Sequence, residues 1–165
     1  MERIQMYCDG GCRGNGIVKE NIGAWGVYLS FAGREKELGG TARGTTNNKM
    51  ELKATIEALK ALKKRTTPVT VYLDSAYVLN GITNWIHGWI AKGWVNSKKQ
   101  PVENQELWKE LYALKREFAD IEFIKVKGHS DNEGNIRADK ICNVLMNKIE
   151  DTEYLESWGV TDYVL

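Results

Sequence analysis

The sequence predicts an α/β fold: a five-stranded mixed sheet flanked by helices, with elements in the order βββαβαβα plus extra helices. Three observations point there. Residues 3–43 hold three strand-like runs joined by short glycine-bearing connections, the pattern of an antiparallel meander. A helix-period segment then leads into a short β-branched run, VTVYL, of the kind buried in parallel sheets. And 165 residues with 42% hydrophobic content match one compact core, with only two prolines and no Ser/Gly-rich linker to divide it.

The elements follow in order. In residues 3–8, Ile4, Met6 and Cys8 alternate with Arg3, Gln5 and Tyr7, the period of a strand, and Asp9 stands where that strand is expected to stop. Glycines at 10, 11, 14 and 16 are expected to break the chain before a second strand over 23–31 and a third over 34–43. Asn47 or Asn48 is the expected cap of a helix over 47–64, with Leu52, Ile56 and Leu59 as its apolar stripe and Glu51 in its first turn. A fourth strand, 69–73, closes on Asp74. Helical segments are expected over 75–89 and 105–118, a fifth strand over 121–126 and a last helix over 136–148.

No apolar run approaches the roughly 18 to 20 residues that span a bilayer, and the N-terminus lacks the build of a signal peptide. Three scattered cysteines, Cys8, Cys12 and Cys142, make a poor disulfide framework and lack zinc-site spacing, so a cytoplasmic protein is expected. No heptad or long apolar edge calls for a partner, and a monomer is expected. The net charge of +1 hides an uneven distribution. Residues 75–102 contain no acid but carry Lys92, Lys98 and Lys99, whereas residues 150–165 hold five acids and no lysine or arginine. The expected organisation is a domain over 1–150, with a basic protrusion at about 82–102, followed by an acidic tail over 151–165 turned away from any polyanion.

In open α/β sheets, ligand sites lie beyond the carboxyl ends of parallel strands, and Asp9 and Asp74 each stand there. If those two strands are neighbours, the carboxylates converge, and such charges repel unless a cation or proton is shared. Glu51 can also be read as complementing its helix dipole, and Asp139 as a solvated charge.

The wording around these acids narrows the choice. YCDGGCRGNG around Asp9, TTNNKMEL around Glu51, YLDSAYV around Asp74, VKGH ending at His129 and NIRAD ending at Asp139 stand in an order and spacing that resemble bacterial-type ribonuclease H of type 1, across roughly residues 3–148. The resemblance implies a ribonuclease H-like fold and a metal-dependent endonuclease that cuts the RNA strand of an RNA/DNA hybrid, leaving 5'-phosphate and 3'-hydroxyl ends. It implies that Asp9, Glu51, Asp74 and Asp139 bind two magnesium ions, with manganese as an alternative, and that His129 carries a proton near the scissile phosphate. The residue types suit that chemistry, because magnesium prefers oxygen ligands, and two ions about 4 Å apart serve both the attacking and the leaving oxygen of an in-line displacement.

The same resemblance implies substrate contacts at Gly10, Gly11, Asn15, Thr46, Asn47, Asn48 and Asn135, and at Trp85, Lys92, Lys98 and Lys99 of the basic protrusion. Apart from the lysines, each has a plain alternative: tight turns for the glycines, capping and turn formation for Asn15, Thr46, Asn47 and Asn48, a helix cap for Asn135, and core packing for Trp85. The sequence departs from the family at Ala76, where glutamine is common, at Gly11, where serine is common, and in the acid-bearing run Ser130, Asp131, Asn132, Glu133. Two other readings are weighed: a non-catalytic hybrid-binding module, which would lack one of the four acids, and a resolvase- or integrase-type nuclease, which would lack TTNNKMEL and the protrusion.

Overall fold

The computed structural model describes residues 2–13, 21–126, 132–150 and 160–164. Strand β1 spans Ile4–Arg13, β2 Ile22–Phe31 and β3 Arg34–Arg43, and they form the expected meander with paired registers Cys8↔Val27 and Val27↔Leu38. Helix α1 covers Asn47–Lys60, and β4, Val69–Leu73, returns parallel to β1 with Cys8 level with Leu73. After β4 come α2 (Ala76–Asn80), a π-helical turn at Gly81–Trp85, α3 (Ile86–Ala91) and α4 (Gln105–Arg116). Strand β5, Ile121–Lys125, adds in parallel to β4, and α5 spans Glu133–Glu150.

The five expected strands all form, but the sheet has six. Strand β6, Val160–Val164, pairs antiparallel with β3, giving the order β5-β4-β1-β2-β3-β6. Its sequence, VTDYV, is rich in β-branched and aromatic residues, and the outer edge of β3 offers a row of unpaired backbone groups. The expected five-stranded mixed sheet forms, and β6 extends it at the β3 edge.

The main core lies between the sheet and α1 with α4. Ile4, Met6 and Cys8 of β1 and Val69, Val71 and Leu73 of β4 meet Leu52, Ile56 and Leu59 of α1, as the alternation and the helical stripe require. A smaller cluster on the other face joins Ala24 of β2 to Ile141, Cys142, Leu145 and Met146 of α5. On the other face of β4, Thr70 is buried beside the Arg3 and Glu122 side chains, while Tyr72 is half-buried.

Two local expectations change. Strand β1 does not stop at Asp9: Gly10 and Gly11 continue it, paired with Trp25 and Ala24 of β2. What ends at Cys8 is the parallel ladder to β4, so Asp9 still lies just past the parallel strand end. The cap of α1 is Thr46, not Asn47 or Asn48: its Oγ1 accepts from Lys49 N at 3.1 Å. The reason is that Asn47 Oδ1 is engaged by Cys12 N at 2.7 Å, which ties the start of α1 to the end of β1.

Candidate active site

Gly10 makes the site geometrically feasible. A Cβ there would stand 2.4 Å from Met50 C and 2.5 Å from Glu51 N, so only glycine lets α1 press against β1 at this level. The N-terminus of α1 is further fixed by Asn21, a buried amide whose Nδ2 donates to Thr45 O at 2.7 Å and whose Oδ1 accepts from Thr45 N at 2.8 Å. Glu51 is thereby carried, one turn into α1, to the side of Asp9. Helix α5 crosses the sheet on the other face and brings Asp139, with Cys142 Sγ donating to Asp9 O at 3.5 Å. Asp74 follows the end of β4, and Ser75 caps α2 by accepting from Val78 N at 3.1 Å.

One cleft of about 490 Å³ collects all four acids, with Gly10, Gly11, Asn47 and Asn48 on its wall. Asp9 is 7% exposed, accepts from Gly10 N at 2.9 Å, and is within hydrogen-bonding reach of both Glu51 and Asp139. Burial, then the hydrogen bond and charge of Asp139, push its carboxyl up to about 7. Glu51 is held well above the ordinary carboxylate value by burial first and then by the charge of Asp9. Its Oε2 is buried with no hydrogen-bond partner. Asp74 Oδ1 lies 3.8 Å from Lys125 Nζ, and Asp139 Oδ2 accepts from Asn143 Nδ2 at 3.3 Å. Among the described residues no three acidic, histidine or cysteine side chains close on one point as a finished ligand set. The cluster is a rim of acids, two of them with their carboxyls pushed up by burial, rather than a closed cage.

A buried carboxylate oxygen without a partner is costly unless something positive meets it. Acids arranged in this way take up either protons or cations, and oxygen donors alone suit a hard divalent ion. The residues therefore fit a magnesium-type site.

The other residues expected at the site divide. Thr46 caps α1 and is not among the residues lining the cleft. Asn135 is buried in the first turn of α5, and the turn's cap is Asn132, whose Oδ1 accepts from Asn135 N at 3.1 Å, not Asn135 itself. Trp85, Lys92, Lys98 and Lys99 stand exposed in the segment between α2 and α4. Asn15, His129 and residues 151–159 lie outside the described residues. Sequence reading missed Lys125, Asn143, Arg13 and Met146, the last three of which line the cleft. Asn143 had a signal, since it stands four residues after Asp139 on a helix. Lys125 had one too, because the last residue of a strand beside β4 must come near Asp74.

A family model for RNase H matches residues 1–145. The chain belongs to the RNase H family. Among its relatives, a ribonuclease H of Chromobacterium violaceum is 48% identical over 142 residues, covering 86% of this chain and 93% of that protein. The crystal structure of LC9-RNase H1, described as a type 1 RNase H with the type 2 active-site motif, has a TM-score of 0.74 at 29% identity, over 99% of this chain and 78% of that one. LC11-RNase H1, solved in complex with RNA/DNA hybrid, has a TM-score of 0.62 at 26% identity, over 88% of this chain and 98% of its own. Asp9, Glu51, Asp74 and Asp139 come from four separate elements and line one cleft.

Proposed function

We propose that this RNase H family member is an endoribonuclease that hydrolyses the RNA strand of RNA/DNA hybrids, leaving 5'-phosphate and 3'-hydroxyl ends. Asp9, Glu51, Asp74 and Asp139 would hold two magnesium ions, with manganese as the alternative. The observation that carries this reading is the buried, unpartnered Oε2 of Glu51 beside the buried carboxyl of Asp9, in a cleft that all four acids line. Two such ions, when bound, supply activation of the attacking water and stabilisation of the leaving oxygen.

The chain's own groups do the rest. Gly10 and Gly11 bring strand backbone to the cleft wall beside Asn47 and Asn48, where a 2'-hydroxyl marks the RNA strand. Thr46, at the N-terminus of a fourteen-residue helix, offers an uncharged contact to a DNA phosphate. Trp85, Lys92, Lys98 and Lys99 present an aromatic face and three exposed ammonium groups to the same polyanion. His129 is proposed as the proton carrier beside the scissile phosphate, with a reference pKa of about 6.5 suited to it. Among the described residues no helix is long and apolar enough to cross a membrane. Buried thiols at Cys8 and Cys142 suit a reducing compartment, and we place the protein in the cytoplasm as a monomer.

Cleavage of end-labelled RNA/DNA hybrid, duplex RNA and duplex DNA, each with magnesium, manganese or chelator, tests the proposal. Cutting of the hybrid's RNA strand alone, abolished by chelator, is expected. Cutting that persists in chelator, or that proceeds equally on duplex DNA, would refute it.

A further inference from the structure

Lys125 is a cation beside an acid cluster, and nothing in the function proposed above uses it. It is the last residue of β5, level with Leu73 in the parallel ladder, so the next residue of the neighbouring strand end, Asp74, is the carboxylate it faces. Its Nζ lies 3.8 Å from Asp74 Oδ1, beyond hydrogen-bonding distance, so charge alone holds the pair. Both side chains are partly open to solvent, 44% and 38% exposed. The ammonium has a second acceptor at hand in Val126 O, 3.5 Å away. That carbonyl is fixed in place, because Val126 is buried and its N donates to Leu73 O at 2.9 Å.

We infer that Lys125 is a positioning residue that competes with the divalent ion for Asp74 and so sets the ion concentration this enzyme requires. The inference rests on the proposed reading of Asp74 as a metal-holding acid. With the acids unloaded, Lys125 supplies part of the positive charge that Asp74 needs. When a divalent ion takes Asp74, the ammonium and the ion repel one another, and Lys125 retreats toward Val126 O. Removing the ammonium leaves Asp74 uncontested and removes that repulsion, so ion binding tightens. An exposed pair of this kind is worth about 0.2–1 kcal/mol, which sets the effect at about 1.4- to fivefold in affinity.

The test is calorimetric titration of magnesium into the metal-free full chain, at low and at high potassium chloride, for wild type, Lys125→Gln and Lys125→Arg. Lys125→Gln is expected to bind magnesium about 1.4- to fivefold more tightly at low salt, with the difference shrinking at high salt as screening grows. Lys125→Arg keeps the charge and is expected to stay near wild type. The magnesium concentration for half-maximal hybrid cleavage should fall in parallel for Lys125→Gln. Unchanged or weaker magnesium binding in Lys125→Gln would overturn the inference, as would Lys125→Arg behaving like Lys125→Gln. A raised KM for hybrid at unchanged magnesium affinity would also overturn it, by making Lys125 a phosphate contact. Failure of wild type to bind magnesium at all would instead remove the metal reading beneath it.

Discussion

Asp9 holds a proton that the unfolded chain would release. An aspartate in the unfolded chain titrates near about 3.9, whereas burial and the nearness of Asp139 bring the folded one to about 7. Between those values the folded state binds a proton that the unfolded state lacks, so stability falls as pH rises from about 4 to about 7. Glu51 is shifted in the same direction and steepens the effect. In chelator, wild type is therefore expected to melt at a higher temperature near about pH 5 than near about pH 8. Asp9→Asn removes the charge and should flatten much of that slope, raising the midpoint near about pH 8 by on the order of 3 °C while abolishing cleavage. Equal slopes in the two proteins would show that Asp9 is not the group responsible. The place of Asp74 was legible from the end of VTVYL, and that of Asp9 only in part: β1 runs on to Arg13, and what ends at Cys8 is its parallel ladder to β4. The depth of Glu51 was not legible, since it depends on how closely α1 approaches β1, a distance set by the missing side chain of Gly10.

The segment from α2 to α4 shows what element-scale reading can and cannot reach. A single helix over 75–89 was expected; the chain instead passes through a π turn at Gly81–Trp85 between two short helices. At its start the turn meets a distant residue: a Cβ on Gly81 would stand 2.0 Å from Trp108 Cη2, so α4 packs straight onto this turn. No local period reveals such a contact, although π turns recur where a helix adapts to a functional neighbour. Trp108 is fully buried, its Nε1 donates to Tyr77 Oη at 3.1 Å, and its ring lies 5.2 Å from that of Trp89. Trp85 is 43% exposed at the rim of the same cluster, 6.1 Å from Trp89. Aromatic residues with helical spacing thus divide into an anchor and a free face. Trp108→Ala is expected to cost about 3–5 kcal/mol of stability in urea unfolding. Trp85→Ala should leave the urea midpoint nearly unchanged but weaken hybrid binding by about 1 kcal/mol or more, read by fluorescence anisotropy. The reverse pattern would place Trp85 in the core and remove it from the substrate surface.

Across the whole molecule, four acids from β1, α1, the end of β4 and α5 meet because the sheet runs β5-β4-β1-β2-β3 with α1 and α5 on opposite faces. The element order and the mixed sheet were legible from the periods, whereas the adjacency of β1 and β4 stood only as a condition, and Glu51 and Asp139 were drawn into the site by the family resemblance rather than by period. Strand β6 was not legible, because five residues beyond an acidic stretch carry too short a period to stand out, and only the open edge of β3 gives them a partner. The convergence of the four acids on bound cations is tested most directly by crystals soaked in manganese, read by anomalous scattering. Two peaks in the cleft are expected, bounded by Asp9, Glu51, Asp74 and Asp139, with Glu51 Oε2 in coordination contact with one of them. Peaks confined to other parts of the surface, with none against Asp9 or Glu51, would contradict it.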